Sequence, residues 1–354
     1  MRGPRLLVAT SVHHPDDARI RAKLIPTLAR EWDVFYGAAR PGPSDEGGFT
    51  WIPLEGGRLL RTLSLTRLIL SRRWDLVALH DPELLPGGIV RACLGRPTLF
   101  DLHENLPAQM RSRDKIPSLL RPFLAMVSAL ALRLAERVMT ITLAESGYRS
   151  LFRSSHPVIA NYLPDTLPSP QPAAQPPFLA YLGDVTVHRG AYLALEAAAG
   201  AGIGLVMVGR VSPPSLQSSL QRRAGELGVD LELTGPLPHQ QALARVATAR
   251  AGLSPLLDIG NYRHSLPTKV PEYLAVGLPV LAADLPGTRR PLDGLEGVTF
   301  VEAGDALRWR EAGKDLGDAA GRRKRVVGQI PLVRDRFSWP AEEVLSVYRT
   351  AGRL

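Results

Sequence analysis

Apolar residues along the chain fall into short unbroken runs, separated by longer stretches in which they recur every three or four positions. The runs predict buried strands and the stretches predict amphipathic helices. Strands are expected over residues 5–10, 33–38, 75–79, 97–101, 138–142 and 157–160. Helices are expected over 16–31, 59–73, a segment ending near Leu94, and 116–136, with a loop at 42–48. In the first helix Ile20, Leu24 and Leu28 share one face. Residues 161–177 are rich in Pro, Ser and Ala, lack periodicity and read as a linker. The alternation then restarts, with strands over 178–182, 204–208, 231–234, 251–255 and 280–283 and helices over 190–199, 216–225, 239–249 and 338–353. Alternation of this kind implies parallel βαβ units, so the fold class is α/β with two Rossmann-like, doubly wound domains. In such sheets ligands bind beyond the carboxyl ends of the strands, which predicts a cleft between the domains.

Composition narrows the function without naming it. A chain of 354 residues suits two domains, and the formal charge of +9 suits a polyanionic partner: nucleotide phosphates, nucleic acid or an anionic membrane surface. Aromatic residues are only 6% of the chain, which disfavours single-strand binding by base stacking, and no helix-turn-helix, zinc or RRM signature is present. The single cysteine, Cys93, excludes an internal disulfide and a cysteine metal cluster. The opening residues carry too short an apolar run for a signal peptide, and the longest apolar run, residues 122–132, is about half of a membrane span. The expectation is a soluble, cytoplasmic protein that touches a membrane without crossing it.

The chemistry concentrates in residues 266–284, LPTKVPEYLAVGLPVLAAD. Thr268 is placed as an N-cap, Pro271 falls in the first turn, and Gly277 and Pro279 end the helix before an apolar strand. Lys269 and Glu272 lie three apart on one face of the N-terminal turn, where free N–H groups attract anions. A phosphate beside Lys269 and a vicinal diol accepted by Glu272 together describe a nucleotide ribose. The same pair is compatible with an i,i+3 ion pair on a solvated face. Other polar clusters follow predicted strands: residues 13–19 (HHPDDAR), 80–85 (HDPELL), 100–105 (FDLHEN), 181–190 (YLGDVTVHRG) and 235–239 (GPLPH). The first lacks a G-x-G-x-x-G fingerprint, which argues against a dinucleotide enzyme. No His-x-x-x-His or H-E-x-x-H spacing supports a metal site, so no metal is expected.

The stretch PTK, then EY, then GLPV resembles the donor segment of retaining GT-B glycosyltransferases of family 4, and the other clusters follow in the order and spacing of that family from about Leu6 to Val347. The resemblance implies a GT-B fold divided as 1–163, 164–337 and 338–354, with the domains facing across a cleft and the last helix, after Phe337-Ser338-Trp339, crossing back to the first domain. Glu272 matches the second Glu of the family's E-x7-E motif and is the implied ribose ligand, while the first Glu, which in the family contacts the donor sugar, is replaced by His264, the implied sugar or acceptor contact at that position. Gly183, Arg189 and Lys269 are implied at the diphosphate, with Arg210 assisting because Asp184 stands where many members carry a second arginine. Gly235 and Leu237 are implied under the base, and Asn261 belongs to the lead-in to the donor segment. The HxxxDxRI, HDPELL and DxHE segments imply sugar or acceptor contacts from His14, Asp17, Arg19, His80, Asp81, Glu83 and Glu104, and a hydrogen bond from His103 to the sugar 6-hydroxyl.

The implied reaction is sugar transfer from a UDP- or GDP-type donor to a glycan or lipid-linked acceptor, with retention, no metal, and His103, Arg189 and Lys269 as the catalytic residues. Envelope polysaccharide or glycoconjugate synthesis is the implied setting. Arginines at 61, 67, 72, 73, 111, 113, 121, 133 and 137, with Lys115, suit an anionic membrane face but equally a solvated helix surface. A nucleotide-sugar epimerase or phosphorylase and a non-catalytic polyanion binder remain the alternatives.

Overall fold

The computed structural model describes residues 3–42, 47–112, 116–164, 166–175, 177–260, 262–316 and 319–353. Asn261, Arg113, Lys115 and most of the loop expected at 42–48 lie outside the described residues. The chain forms two compact units, Met1–Asn161 with Trp339–Leu354, and Tyr162–Ser338.

Unit 1 holds β1 (Arg5–Ala9), α1 (Ile25–Leu28), β2 (Asp33–Ala39), β3 (Thr50–Leu54), α2 (Arg58–Leu70), β4 (Leu76–Leu79), α3 (Leu85–Cys93), β5 (Thr98–Leu102), α4 (Leu106–Ser112), α5 (Arg121–Val138) and β6 (Thr140–Leu143). Its sheet is parallel, in the order β3-β2-β1-β4-β5-β6. Unit 2 holds β7 (Phe178–Leu182), α6 (Ala191–Ala201), β8 (Gly204–Val208), α7 (Ser215–Leu227), β9 (Leu231–Gly235), α8 (His239–Ala247), β10 (Ala251–Ser254), α9 (Lys269–Ala275), β11 (Val280–Ala283), α10 (Pro286–Arg289), β12 (Val298–Val301), α11 (Ala306–Lys314), α12 (Ala319–Gly328) and α13 (Ile330–Phe337). Its parallel sheet runs β12-β11-β10-β7-β8-β9. Each order reverses once, between β1 and β4 and between β7 and β10, and ligands of doubly wound sheets gather at that reversal.

The apolar runs are continuous because both faces of each sheet are covered. Leu6 and Val8 of β1 point into one core cluster and Leu7 and Ala9 into the other. In β7, Phe178, Ala180 and Leu182 alternate in the same way with Leu179 and Tyr181. The last helix, α14 (Ala341–Gly352), belongs to unit 1. Trp339, Val344 and Tyr348 enter the cluster of Leu6 and Val8. Trp339 donates Nε1–H to Thr27 Oγ1 at 3.0 Å, and Arg349 grips Glu31 at 2.8 and 3.1 Å.

Several expected elements differ. The helix expected over 16–31 starts at Ile20 as a π-turn and continues as α1. Asp17 Oδ1 accepts from the N–H groups of Arg19 and Ile20, both at 2.9 Å, which sets the later start. Pro26, with no N–H to donate, sits where the register changes. Residues 157–160 contribute an isolated bridge, Val158 to Leu143, because Pro157 can accept but not donate in the ladder. β3 was not among the expected strands. It is an edge strand with Pro53 and a half-exposed pattern, which hides it from a reading by hydrophobic runs. α4, β12 and α11–α13 were likewise unannounced, and Thr268 precedes α9 without capping it through its side chain.

Helices α6 and α11 pack in direct backbone contact. A Cβ on Gly200 would lie 1.9 Å from the Arg310 carbonyl oxygen, and one on Gly313 would lie 2.0 Å from that of Ala197. Gly313→Ala is therefore expected to destabilise unit 2 by about 1–3 kcal/mol in urea denaturation, as overpacked cores do. Gly225→Ala, where an added Cβ meets nothing within 4 Å, should be neutral or stabilising.

Candidate functional site

In unit 2 the three strands on one side of the sheet reversal end in glycine. Gly183 after β7, Gly209 after β8 and Gly235 at the end of β9 have φ of +107°, +153° and +72°. Gly209 needs its missing side chain, since a Cβ there would fall 2.0 Å from the Gly183 carbonyl oxygen. The Gly209 N–H donates to the Gly235 carbonyl at 3.0 Å, so the three bends form one backbone floor.

Two cations stand on that floor. A Cβ on Gly183 would be 3.8 Å from Arg189 Nη1 and 3.9 Å from Lys269 Nζ. Arg189 sits just before α6 because Gly190 (φ +79°) tucks its backbone under Pro255, leaving no room for a Cβ. Its guanidinium carbon stands 6.0 Å from the centroid of the Tyr262 ring. Lys269 and Glu272 ride on α9, every residue of which is buried. Tyr273 anchors that helix. Its ring occupies the space left by Gly252, and its phenol oxygen accepts the Leu182 N–H at 2.7 Å.

Lys269 Nζ is buried and has no hydrogen-bond partner among the described residues; it lies 3.7 Å from the Tyr181 ring centroid. Burial and the adjacent Arg189 charge hold the Lys269 ammonium well below the usual lysine range, against the pull of Glu272 and Asp184. Glu272 Oε1 pairs with His239 Nε2 at 2.9 Å at the start of α8.

The polar cluster of unit 1 is compensated instead of open. Asp101, buried at the end of β5, accepts from Arg19 Nε at 3.1 Å and from Arg19 Nη2 at 3.0 Å to each oxygen, and from Thr142 at 2.8 Å. His103 Nε2 lies 3.0 Å from Asp101 and 3.1 Å from His80 Nδ1. Burial opposes the Asp101 charge, but Arg19, His103 and His80 hold its carboxyl well below the usual range. Burial, with the Arg19 and His80 charges, lowers His103. An ionised carboxylate only accepts, so the neutral His103 carries its proton on Nε2 and presents Nδ1 as an acceptor.

Asp81 Oδ2 collects Thr10 Oγ1 at 2.7 Å, the Ser11 N–H at 2.6 Å and the Val12 N–H at 3.2 Å, tying the ends of β1 and β4 together. His13 lies 3.4 Å from both Asp17 and Asp81, and its ring centroid is 5.0 Å from that of His103. Burial works against the His13 charge, but Asp17, Asp81 and Glu104 raise it above the ordinary histidine value. His80, Asp101 and His103 offer three ligand atoms within 4.8 Å. The set does not fit a divalent ion: Arg19 already covers both oxygens of Asp101 and would repel a second cation in the same buried space.

The chain is 26% identical over 311 residues to a 2-deoxystreptamine N-acetyl-D-glucosaminyltransferase of Streptomyces fradiae, covering 80% of this chain and 73% of that one. A solved sucrose-phosphate synthase from Thermosynechococcus elongatus is similar with a TM-score of 0.77 at 16% identity, over 99% of each chain. HepE of Anabaena, in complex with UDP and glucose, is similar with a TM-score of 0.69 at 11% identity, over 99% of this chain and 100% of that one. The fold is GT-B. No protein-family model matches the chain.

Of the residues expected at a site, the structure brings Gly183, Arg189, Lys269 and Glu272 together in unit 2, with Gly235 on the same backbone floor. Arg210 is exposed and pairs with Asp184 at 3.4 Å, while Leu237 and His264 are exposed on their own loops. In unit 1 Asp17, Arg19, His80, Asp81 and His103 cluster, and Glu83 is held by Arg58 and by Ser11. His14 and Glu104 are exposed; His14 reaches the Asp16 N–H, and Glu104 pairs with Gln109. Reading by motif missed His13, Asp101, Tyr181, His239 and Tyr262. The two clusters alone show that His13, not His14, turns inward, although both stand in the same His-His pair.

Replacing Asp101 with Asn leaves Arg19 as a buried charge without its partner and should cost about 3–5 kcal/mol. Because the folded-state pKa of Asp101 is depressed, its contribution is complete above the unfolded value and is lost as pH falls below about 4. Urea denaturation across the acid range should accordingly show a shallower loss of stability in Asp101→Asn than in the native chain.

Proposed function

We propose that the protein is a glycosyltransferase that moves a sugar from a uridine-diphosphate donor to a glycan or lipid-linked acceptor, with retention at the anomeric carbon. The observation that carries this reading is Lys269 Nζ, buried with no hydrogen-bond partner among the described residues, beside the Arg189 guanidinium over the bend at Gly183. A buried ammonium beside a half-buried guanidinium is stabilised when an anion joins them. A diphosphate supplies two negative groups, and Arg189 suits it by bidentate geometry. Glu272 lies one helical turn from Lys269 and accepts from the ribose hydroxyls; His239 orients it. HepE, of the same fold, was solved with UDP and with UDP-glucose, and the Streptomyces relative is named as a hexosaminyltransferase, which supports a nucleotide-sugar donor.

In the proposed reaction the bond from the sugar C1 to the diphosphate oxygen breaks and a bond from the acceptor oxygen to C1 forms. The acceptor proton passes to the leaving diphosphate on the same face of the sugar. Lys269 and Arg189 stabilise the charge that develops on the diphosphate, an electrostatic contribution that is commonly the largest in catalysis. His103, neutral and held by Asp101, offers Nδ1 to a sugar hydroxyl. The remaining unit 1 cluster is assigned to the acceptor, and neither step is proposed to require a metal.

Lys269→Ala should keep the fold and lower turnover by about 10²–10³-fold. Glu272→Gln should chiefly weaken UDP binding, by about 1.5–3 kcal/mol. Failure of UDP and UDP-glucose to raise the melting temperature, or full turnover in Lys269→Ala, overturns the reading. Epimerised donor in the absence of acceptor would assign a different reaction to the same site.

A further inference from the structure

Helix α5 carries its apolar residues on the outside. Its inward face is narrow: Ala125, Leu132 and Ala135 are buried, and Leu132 and Ala135 join the unit 1 core. Leu119, in the helical turn that leads into α5, and Phe123, Met126, Leu130 and Leu134 of α5 recur every three or four residues and so form one outward stripe, with exposures from 45% at Leu134 to 91% at Leu119. A contiguous exposed apolar stripe marks an interaction surface. Ser118–Val138 is also the one helical stretch among the described residues long and apolar enough to cross a bilayer. Leu132 and Ala135 fasten it to unit 1, so it lies along the unit's surface.

Charge selects the partner. Residues 106–138 contain six cations and two acids. One of the acids, Glu136, is turned inward and accepts the backbone N–H groups of Arg153 at 2.8 Å and Ser154 at 2.7 Å. Arg137 is exposed one turn beyond Leu134, and Arg111 is exposed on α4, which packs against α5. Two copies meeting through this face would set arginine against arginine, whereas an anionic headgroup layer complements it.

We propose that the outward face of α5 docks the protein on an anionic lipid bilayer, with the stripe entering the boundary between headgroups and acyl chains and the arginines at the lipid phosphates. The proposal does not depend on the nucleotide chemistry of unit 2. Flotation of the full chain with vesicles tests it, using phosphatidylcholine alone against phosphatidylcholine mixed with phosphatidylglycerol. The chain should float with the mixed vesicles and release as salt is raised. The double variant Phe123→Glu, Leu130→Glu should lower the bound fraction by about tenfold or more, and Arg137→Gln by about fivefold. Both substitutions are at exposed positions, and an unchanged melting temperature verifies the fold. No flotation, or equal flotation on both vesicles, overturns the proposal. So does a concentration-dependent dimer in sedimentation velocity that the double variant abolishes. UDP protection of the melting temperature reports separately on the donor reading.

Discussion

A lysine ammonium buried without a hydrogen-bond partner and next to an arginine is unfavourable on its own, and much of unit 2 holds Lys269 in that situation. Glycines at the ends of β7, β8 and β9 bring the backbone down into a floor. Gly190 and Pro255 press the start of α6 against the turn after β10, which fixes Arg189. α9 is buried along its whole length and is pinned by the Tyr273 phenol to the end of β7. Each device removes a freedom by which the two cations would otherwise separate. An anion entering that space finds groups that need no reorganisation, the condition under which electrostatic stabilisation is strongest.

Unit 1 uses the same topology to the opposite end. Its sheet also reverses once, and its polar residues also follow the strands on either side of the reversal. There, however, the charges satisfy one another: Arg19 with Asp101, Asp81 with the turn after β1, Glu83 with Arg58. A compensated network is rigid and fixes a tautomer, which suits the recognition of neutral hydroxyls. A buried ammonium with no hydrogen-bond partner among the described residues, beside a guanidinium, suits an anion. The difference between the clusters is therefore a difference in the charge of the expected ligand.

The surface of unit 1 follows a third logic. α5 has enough apolar residues to bury a full face and more, yet only a narrow line of small residues and Leu132 faces the sheet. Its excess apolar area is turned to solvent within a cationic border, an arrangement that gives no advantage to an isolated soluble unit.

The strands were legible because a doubly covered parallel sheet writes itself as unbroken apolar runs; residues 178–182, 204–208 and 280–283 coincide with β7, β8 and β11. Lys269, Glu272 and Arg189 were legible as residue types at strand ends. Edge strand β3, with its proline, was not, nor was the bridge-only pairing of residues 157–160, because each depends on what lies beside it. The sequence by itself determined the βαβ alternation and which polar residues follow the strands, since both are local patterns of side-chain type. Only the tertiary structure decided that His13 turns inward and His14 outward, that Asp101 joins Arg19 across more than eighty residues, and that Lys269 has no hydrogen-bond partner among the described residues. Those outcomes depend on which groups approach one another in space, and no spacing along the chain encodes that.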